Sequence, residues 1–131
     1  MFATDTHPIA NYAGSKHSKL SRRALRLFEE ASEAKAVIYV STPALWEIHK
    51  LTTAGRVELP LRFDHWCRDL DSEPGFIIEP LTWHDVEEAR HLPFPDPFDC
   101  LIVGTAIRLG YPLITRDQAI VDSGLVETIW L

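Results

Sequence analysis

Apolar residues recur along the chain in segments that alternate between strand-like and helix-like spacing. Short apolar and β-branched runs predict strands at Phe2–Thr4, Ala36–Val40, Phe76–Ile78, Pro112–Thr115 and Val126–Leu131. Helical spacing predicts helices over Ser18–Ala34, Thr42 to about Gly55, Leu61–Leu70, His84–Leu92 and Asp96–Leu109. This alternation predicts an α/β domain with a mostly parallel sheet of about five strands and helices on both faces.

Two of the predicted helices carry clear start signals. Thr42-Pro43 indicates an N-cap followed by proline at the first helical position, and Asp96-Pro97 repeats the pattern. Gly110 is a natural end for the second of these helices. For Asp96 two interpretations remain open: a helix cap, or a residue that supports or binds a metal.

Length and composition indicate one globular domain spanning residues 1–131. No segment approaches the ~18–20 apolar residues needed to cross a membrane. Asp5 and His7 interrupt any apolar signal segment at the start of the chain. The two cysteines are too few for a disulfide framework. We therefore expect a cytoplasmic protein with reduced thiols and no membrane association.

Four acidic residues hold equivalent places in the order of predicted elements. Asp5 follows the first strand, and Asp117 follows the strand that ends at Thr115. Glu47 and Asp99 lie in the first turns of helices. Because strand carboxyl ends and the following helix starts share one edge of a parallel sheet, these acids should meet in one cleft.

Four carboxylates in a partly desolvated cleft need compensation, so either some of them protonate or a cation joins them. Oxygen ligands favour Mg²⁺ or Mn²⁺, and no histidine–cysteine spacing offers a competing zinc site. Metal-assisted hydrolysis of phosphodiester bonds is the matching chemistry. Each acid taken alone also fits a helix cap.

The chain resembles the VapC branch of the PIN-domain family over nearly its whole length. The resemblance is carried, in order, by Asp5-Thr6-His7, Leu45-Trp46-Glu47-Ile48, Asp96-Pro97-Phe98-Asp99 with the apolar run after it, and Leu113-Ile114-Thr115-Arg116-Asp117. It implies a PIN-like fold and a Mg²⁺- or Mn²⁺-dependent endoribonuclease. It also implies a toxin that forms homodimers and is neutralised by an antitoxin protein.

Carried over by position, the family's acidic site falls on Asp5, Glu47, Asp99 and Asp117. Thr115 matches a position at which a hydroxyl supports this site, and Asp96 belongs to a variant of the third motif. The resemblance therefore assigns the same four acids that the order of elements brings to one edge.

The formal net charge of −6 argues against simple electrostatic binding of nucleic acid. One basic segment departs from this balance, because no acid occurs between Lys16 and Phe28. We expect Arg22, Arg23 and Arg26 to border the acidic cleft and to bind RNA phosphates. A solvated helix face is the alternative.

Two other functions remain as alternatives. A receiver-like signalling domain shares the chain length and an acidic pocket, but it needs a lysine after a late strand, and no lysine follows Lys50. A catalytically silent PIN-fold binding module would not need the full set of acids.

An antitoxin would bind through two kinds of contact. A basic residue of the antitoxin, such as arginine, is expected to approach the acidic cleft and compete with the metal. Apolar side chains at Leu45, Trp46 or Phe63 are expected to anchor an amphipathic antitoxin helix in a groove nearby.

Overall fold

The sheet in the computed structural model, which describes residues 1–131, has five strands. They are β1 (Phe2–Thr4), β2 (Ile38–Ser41), β3 (Phe76–Glu79), β4 (Leu113–Ile114) and β5 (Thr128–Ile129). Their order is β3-β2-β1-β4-β5, and every pairing is parallel. The predicted α/β class with a parallel sheet of about five strands is confirmed.

Strand β1 is the point at which the strand order reverses. The chain adds β2 and β3 on one side of β1, and then places β4 and β5 on the other side. In open parallel sheets, ligand sites form at the strand carboxyl ends where such a reversal occurs. Because Thr4 pairs with Ile114, the next residues, Asp5 and Thr115, leave the sheet side by side.

Seven α-helices connect and flank these strands. They are α1 (Thr6–Ala13), α2 (Arg22–Ser32), α3 (Thr42–Thr53), α4 (Phe63–Ser72), α5 (Trp83–Ala89), α6 (Pro97–Leu109) and α7 (Gln118–Ser123). Helix α6 begins after Asp96 and ends at Gly110, whose φ of 73° fits a left-handed C-cap. Both limits of this helix agree with the prediction.

Two helix starts differ from the prediction because serine side chains cap them. Helix α2 begins at Arg22, where Ser21 Oγ accepts a 3.0 Å hydrogen bond from the Ala24 N–H. Helix α3 is capped by Ser41, which accepts from the Ala44 N–H at 3.4 Å, and not by Thr42. A side-chain oxygen at the N-cap satisfies a backbone donor that the helix leaves free.

Helices α1 and α7 are not predicted by the apolar pattern. Helix α1 contains Pro8, and α7 has only six residues, so neither gives a clear periodic signal. Their apolar residues are nevertheless buried, with Ile9 at 1% and Ile120 at 0% exposure. Tertiary packing therefore stabilises these helices, together with side-chain caps from Asp5 and Asp117.

One continuous hydrophobic core joins the sheet to its helices. It comprises 21 buried residues, among them Ile38, Val40, Leu113 and Ile114 of the strands and Phe28, Ile48 and Ile102 of the helices. This core fixes the strand ends and helix starts from which the candidate site is built. None of the helices has the length and apolar content required for a membrane span.

Candidate active site at the carboxyl edge of the sheet

Asp5 lies at the reversal of strand order, directly after β1, and is only 7% exposed. One carboxylate oxygen accepts a 2.8 Å hydrogen bond from the Thr6 backbone N–H. The other accepts a 2.8 Å hydrogen bond from the Thr115 hydroxyl. Burial raises the pKa of Asp5, and these two hydrogen bonds partly offset the increase. The carboxylate is therefore held in a fixed direction at the central strand end.

Thr115 connects Asp5 to a second acid. While its hydroxyl donates to Asp5, the same oxygen accepts a 3.0 Å hydrogen bond from the Asp117 backbone N–H. Asp117 then caps α7, where its Oδ1 accepts from the Ile120 N–H at 3.1 Å. One threonine thus links the acids that follow β1 and β4.

Glu47 lies in the second turn of α3 and is partly buried. Burial raises the pKa of its carboxyl group, and the Thr6 hydroxyl lowers it. The charges of Asp5 and Asp96 raise this pKa further. Glu47 therefore lies within electrostatic reach of the acids on β1 and at the start of α6.

Asp99 occupies the first turn of α6, and its pKa is raised to about 7. Partial burial is the largest cause, because it disfavours the charged form. Four neighbouring carboxylates add repulsion: Asp5, Asp96, Asp117 and Glu47. The charges of all the predicted acids thus act at the Asp99 position.

Asp96 is the N-cap of α6, as one of its two interpretations predicts. Its Oδ1 accepts a 2.8 Å hydrogen bond from the Phe98 N–H, and Pro97 occupies the first helical position. The charge of Asp96 also raises the pKa of Glu47 and of Asp99. The cap does not remove Asp96 from the acidic site, and a role for it in metal binding stays a prediction.

The donor atoms at this edge are carboxylate and hydroxyl oxygens, which suit Mg²⁺ or Mn²⁺. The repulsion that raises the pKa of Asp99 is of the kind that a divalent cation relieves. In the present side-chain arrangement, no group of three or more acidic, histidine or cysteine side chains could hold a metal ion. The residues fit such a cation in chemistry and charge, but a ligand geometry is not formed.

The three arginines predicted to bind RNA lie on the first turns of α2 and are all exposed. Arg26 forms an ion pair with Glu30 over 3.7 Å, and Arg23 donates to the Leu131 carbonyl oxygen at 3.5 Å. No hydrogen bond or ion pair joins Arg22, Arg23 or Arg26 to the acids of the site. Their contribution to RNA binding stays a prediction.

Sequence reasoning missed three residues near the acids. The buried Thr6 hydroxyl has no hydrogen-bond partner within 3.5 Å, but it lies near enough to Glu47 to lower the pKa of that carboxyl group. Lys50 and Arg56 share a groove with Glu47. Two signals were available: Thr6 directly follows Asp5, and Lys50 follows Glu47 by one helical turn on the same face.

Comparisons with known proteins agree with this architecture. The model of the PIN domain family matches residues 3–123 of the chain. A toxin–antitoxin complex from Klebsiella pneumoniae contains a similar chain, with a TM-score of 0.63 and 15% identity, over 98% of this chain and 96% of that one. FitAB bound to an IR36 DNA fragment gives a TM-score of 0.61 and 16% identity, over 98% and 94% of the two chains.

At these identities the two solved structures establish the fold. No curated protein matches the chain. The family model, in contrast, covers most of the sequence and includes all the acids described above. PIN domains are generally nucleases, so the family supports hydrolysis of nucleic acid. The chain therefore belongs to the PIN domain family.

Proposed function

We propose that this protein is a Mg²⁺- or Mn²⁺-dependent endoribonuclease and the VapC-type toxin of a toxin–antitoxin pair. The observation that carries the proposal is the gathering of acids at one edge of the sheet, where Thr115 links Asp5 to Asp117 and where Glu47 and Asp96 line one groove. Asp99 lies at the start of α6 beside them, and their repulsion, together with burial, raises its pKa to about 7. None of these acids forms an ion pair with a lysine or arginine. An acidic cluster without such partners is suited to a cation that arrives with the substrate.

The carboxylates at this edge of the sheet differ in how firmly they are held. Asp5 is the fixed carboxylate, because Thr6 and Thr115 hold both of its oxygens. Glu47 and Asp99 are only partly buried and have no side-chain hydrogen bond of 3.5 Å or less, so their carboxylates can reorient towards a ligand. A bound divalent cation supplies a more acidic water and neutralises charge on the phosphate.

An RNA cleavage assay tests this activity directly. Single-stranded RNA is incubated with the protein and Mg²⁺, Mn²⁺ or a chelator, and the products are separated by size. We expect cleavage only with metal, and no cleavage by Asp5→Asn. Asp71→Asn is the matched control, because Asp71 is exposed on α4, and it should cleave like wild type. Wild-type cleavage by Asp5→Asn contradicts the assigned site.

Family membership contradicts the receiver alternative and leaves the inactive PIN module as the rival. A parallel incubation with acetyl phosphate checks this point, since a receiver would become phosphorylated. A silent module would cleave no RNA under any metal condition. It would still bind a protein partner.

We propose an antitoxin partner whose arginine approaches the acids and competes with metal, since an arginine fork pairs well with carboxylates. The toxin–antitoxin complex with the same fold supports an antitoxin partner, and the competing arginine is part of the proposal. Three residues were predicted to anchor an antitoxin helix. For Leu45 this prediction is wrong, because its side chain is 9% exposed and belongs to the core. Trp46 is 56% exposed, and Phe63 is partly buried, so both stay available.

Growth assays test the toxin role. Expression of the chain alone should slow bacterial growth, and expression of Asp5→Asn should not. Co-expression of the antitoxin should restore growth. Equal growth with both forms, each shown to be soluble and folded, contradicts the toxin role but not the fold.

For Arg22, Arg23 and Arg26 we propose a contribution to RNA affinity without a part in the chemistry. Neutralising all three should raise KM and reduce its salt dependence, while kcat stays nearly unchanged. An unchanged salt response indicates a solvated helix face. We further propose a homodimer that acts in the cytoplasm, and light scattering of the purified protein tests the oligomeric state.

A further inference from the structure

A groove of about 660 Å³ opens beside the acidic site, between the later turns of α3 and the start of α6. We call it the side groove, and its walls include Glu47, Lys50, Arg56, Asp96 and Phe98. Glu47 and Asp96 also belong to the acidic site. The side groove is therefore continuous with that site, and a polymer bound at the acids can extend into it.

The charge on the wall of the side groove changes sign with distance from the acids. Lys50 lies one helical turn beyond Glu47 on the same face of α3, and Arg56 follows the end of that helix. Glutamate and lysine at this spacing can form an ion pair. Neither Lys50 nor Arg56 forms an ion pair here, so no acid of the chain neutralises either cation.

An aromatic ring accompanies these cations. The Nζ of Lys50 lies 5.7 Å from the centre of the Phe98 ring, and this ring lines the side groove. Proteins that bind single-stranded nucleic acid combine cations for the phosphates with aromatic rings on which bases stack. Bases in a duplex are already stacked on one another and cannot use such a ring. The side groove therefore favours a single strand.

The arginines of α2 differ from this arrangement. Arg23 and Arg26 contact a backbone carbonyl and Glu30, respectively, and neither lines the side groove. Lys50 and Arg56, in contrast, share their groove with two acids of the candidate site. The side groove, rather than the start of α2, therefore places cations in the same groove as acids of the site.

We propose that the side groove binds the single-stranded RNA segment adjacent to the cleaved bond, with Lys50 and Arg56 on its phosphates and Phe98 against a base. This inference rests on the proposed endoribonuclease function. It extends that function by assigning the side groove as the surface along which the strand leaves the acids.

Fluorescence anisotropy with a labelled single-stranded RNA, its duplex form and a chelator measures binding without cleavage. The double variant Lys50→Gln/Arg56→Gln should bind the single strand at least about tenfold more weakly. The slope of its log-affinity against log-salt should fall by about 0.7 for each phosphate that no longer has a cation beside it. The matched control is Lys35→Gln/Arg62→Gln, whose cations are exposed beside their own acids, and it should bind like wild type.

Phe98→Leu separates stacking from charge. It should weaken binding of the single strand about tenfold while leaving the salt slope unchanged, because stacking involves no phosphate. Its thermal unfolding midpoint shows whether the fold is retained. If Phe98→Leu does not fold, the RNA affinity of the double variant alone tests the side groove.

The inference is overturned if the double variant has the same RNA affinity and salt slope as the wild-type protein. It is also overturned if the wild-type protein does not bind RNA. Tighter binding of duplex than of single strand also overturns it. RNA binding that the double variant weakens, without RNA cleavage in Mg²⁺, would contradict the proposed function but support the side groove as an RNA-binding surface. RNA cleavage by the double variant with an unchanged KM would support the proposed function but contradict the role of the side groove in RNA binding.

Discussion

The two ends of helix α6 place carboxylates in opposite electrostatic environments. At its start, Asp99 is surrounded by other acids, and its pKa is raised to about 7. At its end, Arg108 donates hydrogen bonds to Asp85 and Glu79, over 3.2 Å and 2.8 Å from its Nη2. Burial alone would raise the pKa of Asp85, but the bonds from Arg108 hold it below its usual value.

The difference separates a structural cluster from a functional one. Asp85 is fully buried, closes a capping box with Thr82, and has its charge neutralised by Arg108. Such a group stabilises the packing of α5 against α6. Asp99 has no cation partner among the side chains of the chain, so its repulsive environment is retained for a ligand.

The largest expected effect is loss of activity on Asp99→Asn. RNA cleavage should fall by more than about 100-fold, beyond the usual cost of removing a supporting residue at a metal site. The free energy of unfolding without metal should rise, because the substitution removes repulsion among acids. Cleavage kinetics and urea unfolding measure the two quantities. A less stable Asp99→Asn protein would contradict the contrast between the helix ends.

The next effect is loss of stability on Arg108→Met. This change leaves Asp85 charged, buried and unpaired, and it should lower the free energy of unfolding by about 3 kcal/mol. We take the low end of the range because the Arg108 side chain is 27% exposed. Arg90→Met is the control, since the Arg90 side chain is 62% exposed and its loss should leave the free energy of unfolding nearly unchanged. Equal costs would show that the Asp85 pair is not structural.

The pH dependence of stability sharpens the same contrast. The pKa of Asp85 is lower in the folded protein than its ordinary value of 3.8. Its contribution is therefore present above pH 3.8 and is lost as the pH falls through the lower, folded-state pKa. The stability difference between wild type and Asp85→Asn should shrink as the pH falls from about 6 to about 2. Urea unfolding measures this stability difference, and a difference that stays constant across these pH values would contradict the structural role of Asp85.

The smallest expected effect concerns Thr6. Its buried hydroxyl makes no hydrogen bond within 3.5 Å, so Thr6→Val should raise the free energy of unfolding by about 1 kcal/mol. Because this hydroxyl lies near Glu47, the same variant should cleave RNA roughly tenfold more slowly. Thr6→Ser retains the hydroxyl and should keep most activity. Reduced stability with unchanged activity in Thr6→Val would assign Thr6 to packing alone.

Much of the architecture was predictable because it depends on local patterns. Alternating apolar runs predicted the five strands, and Asp96-Pro97 with Gly110 predicted both ends of α6. Local sequence did not predict α1, which has little periodicity of its own and is stabilised by burial of Ile9. It also assigned Leu45 to an exposed groove, although this residue belongs to the core.

The sequence by itself determined which acids follow strand ends and begin helices, because element order and chain spacing place Asp5, Glu47, Asp99 and Asp117 at one edge. Only the tertiary structure decided what each acid contacts. The pairing of β1 with β4 brings Thr115 to Asp5, across more than a hundred intervening residues. The packing of α3 near α6 likewise brings Lys50 to Phe98. Such contacts depend on register and crossing geometry, which arise from the packing of the whole core rather than from any one segment.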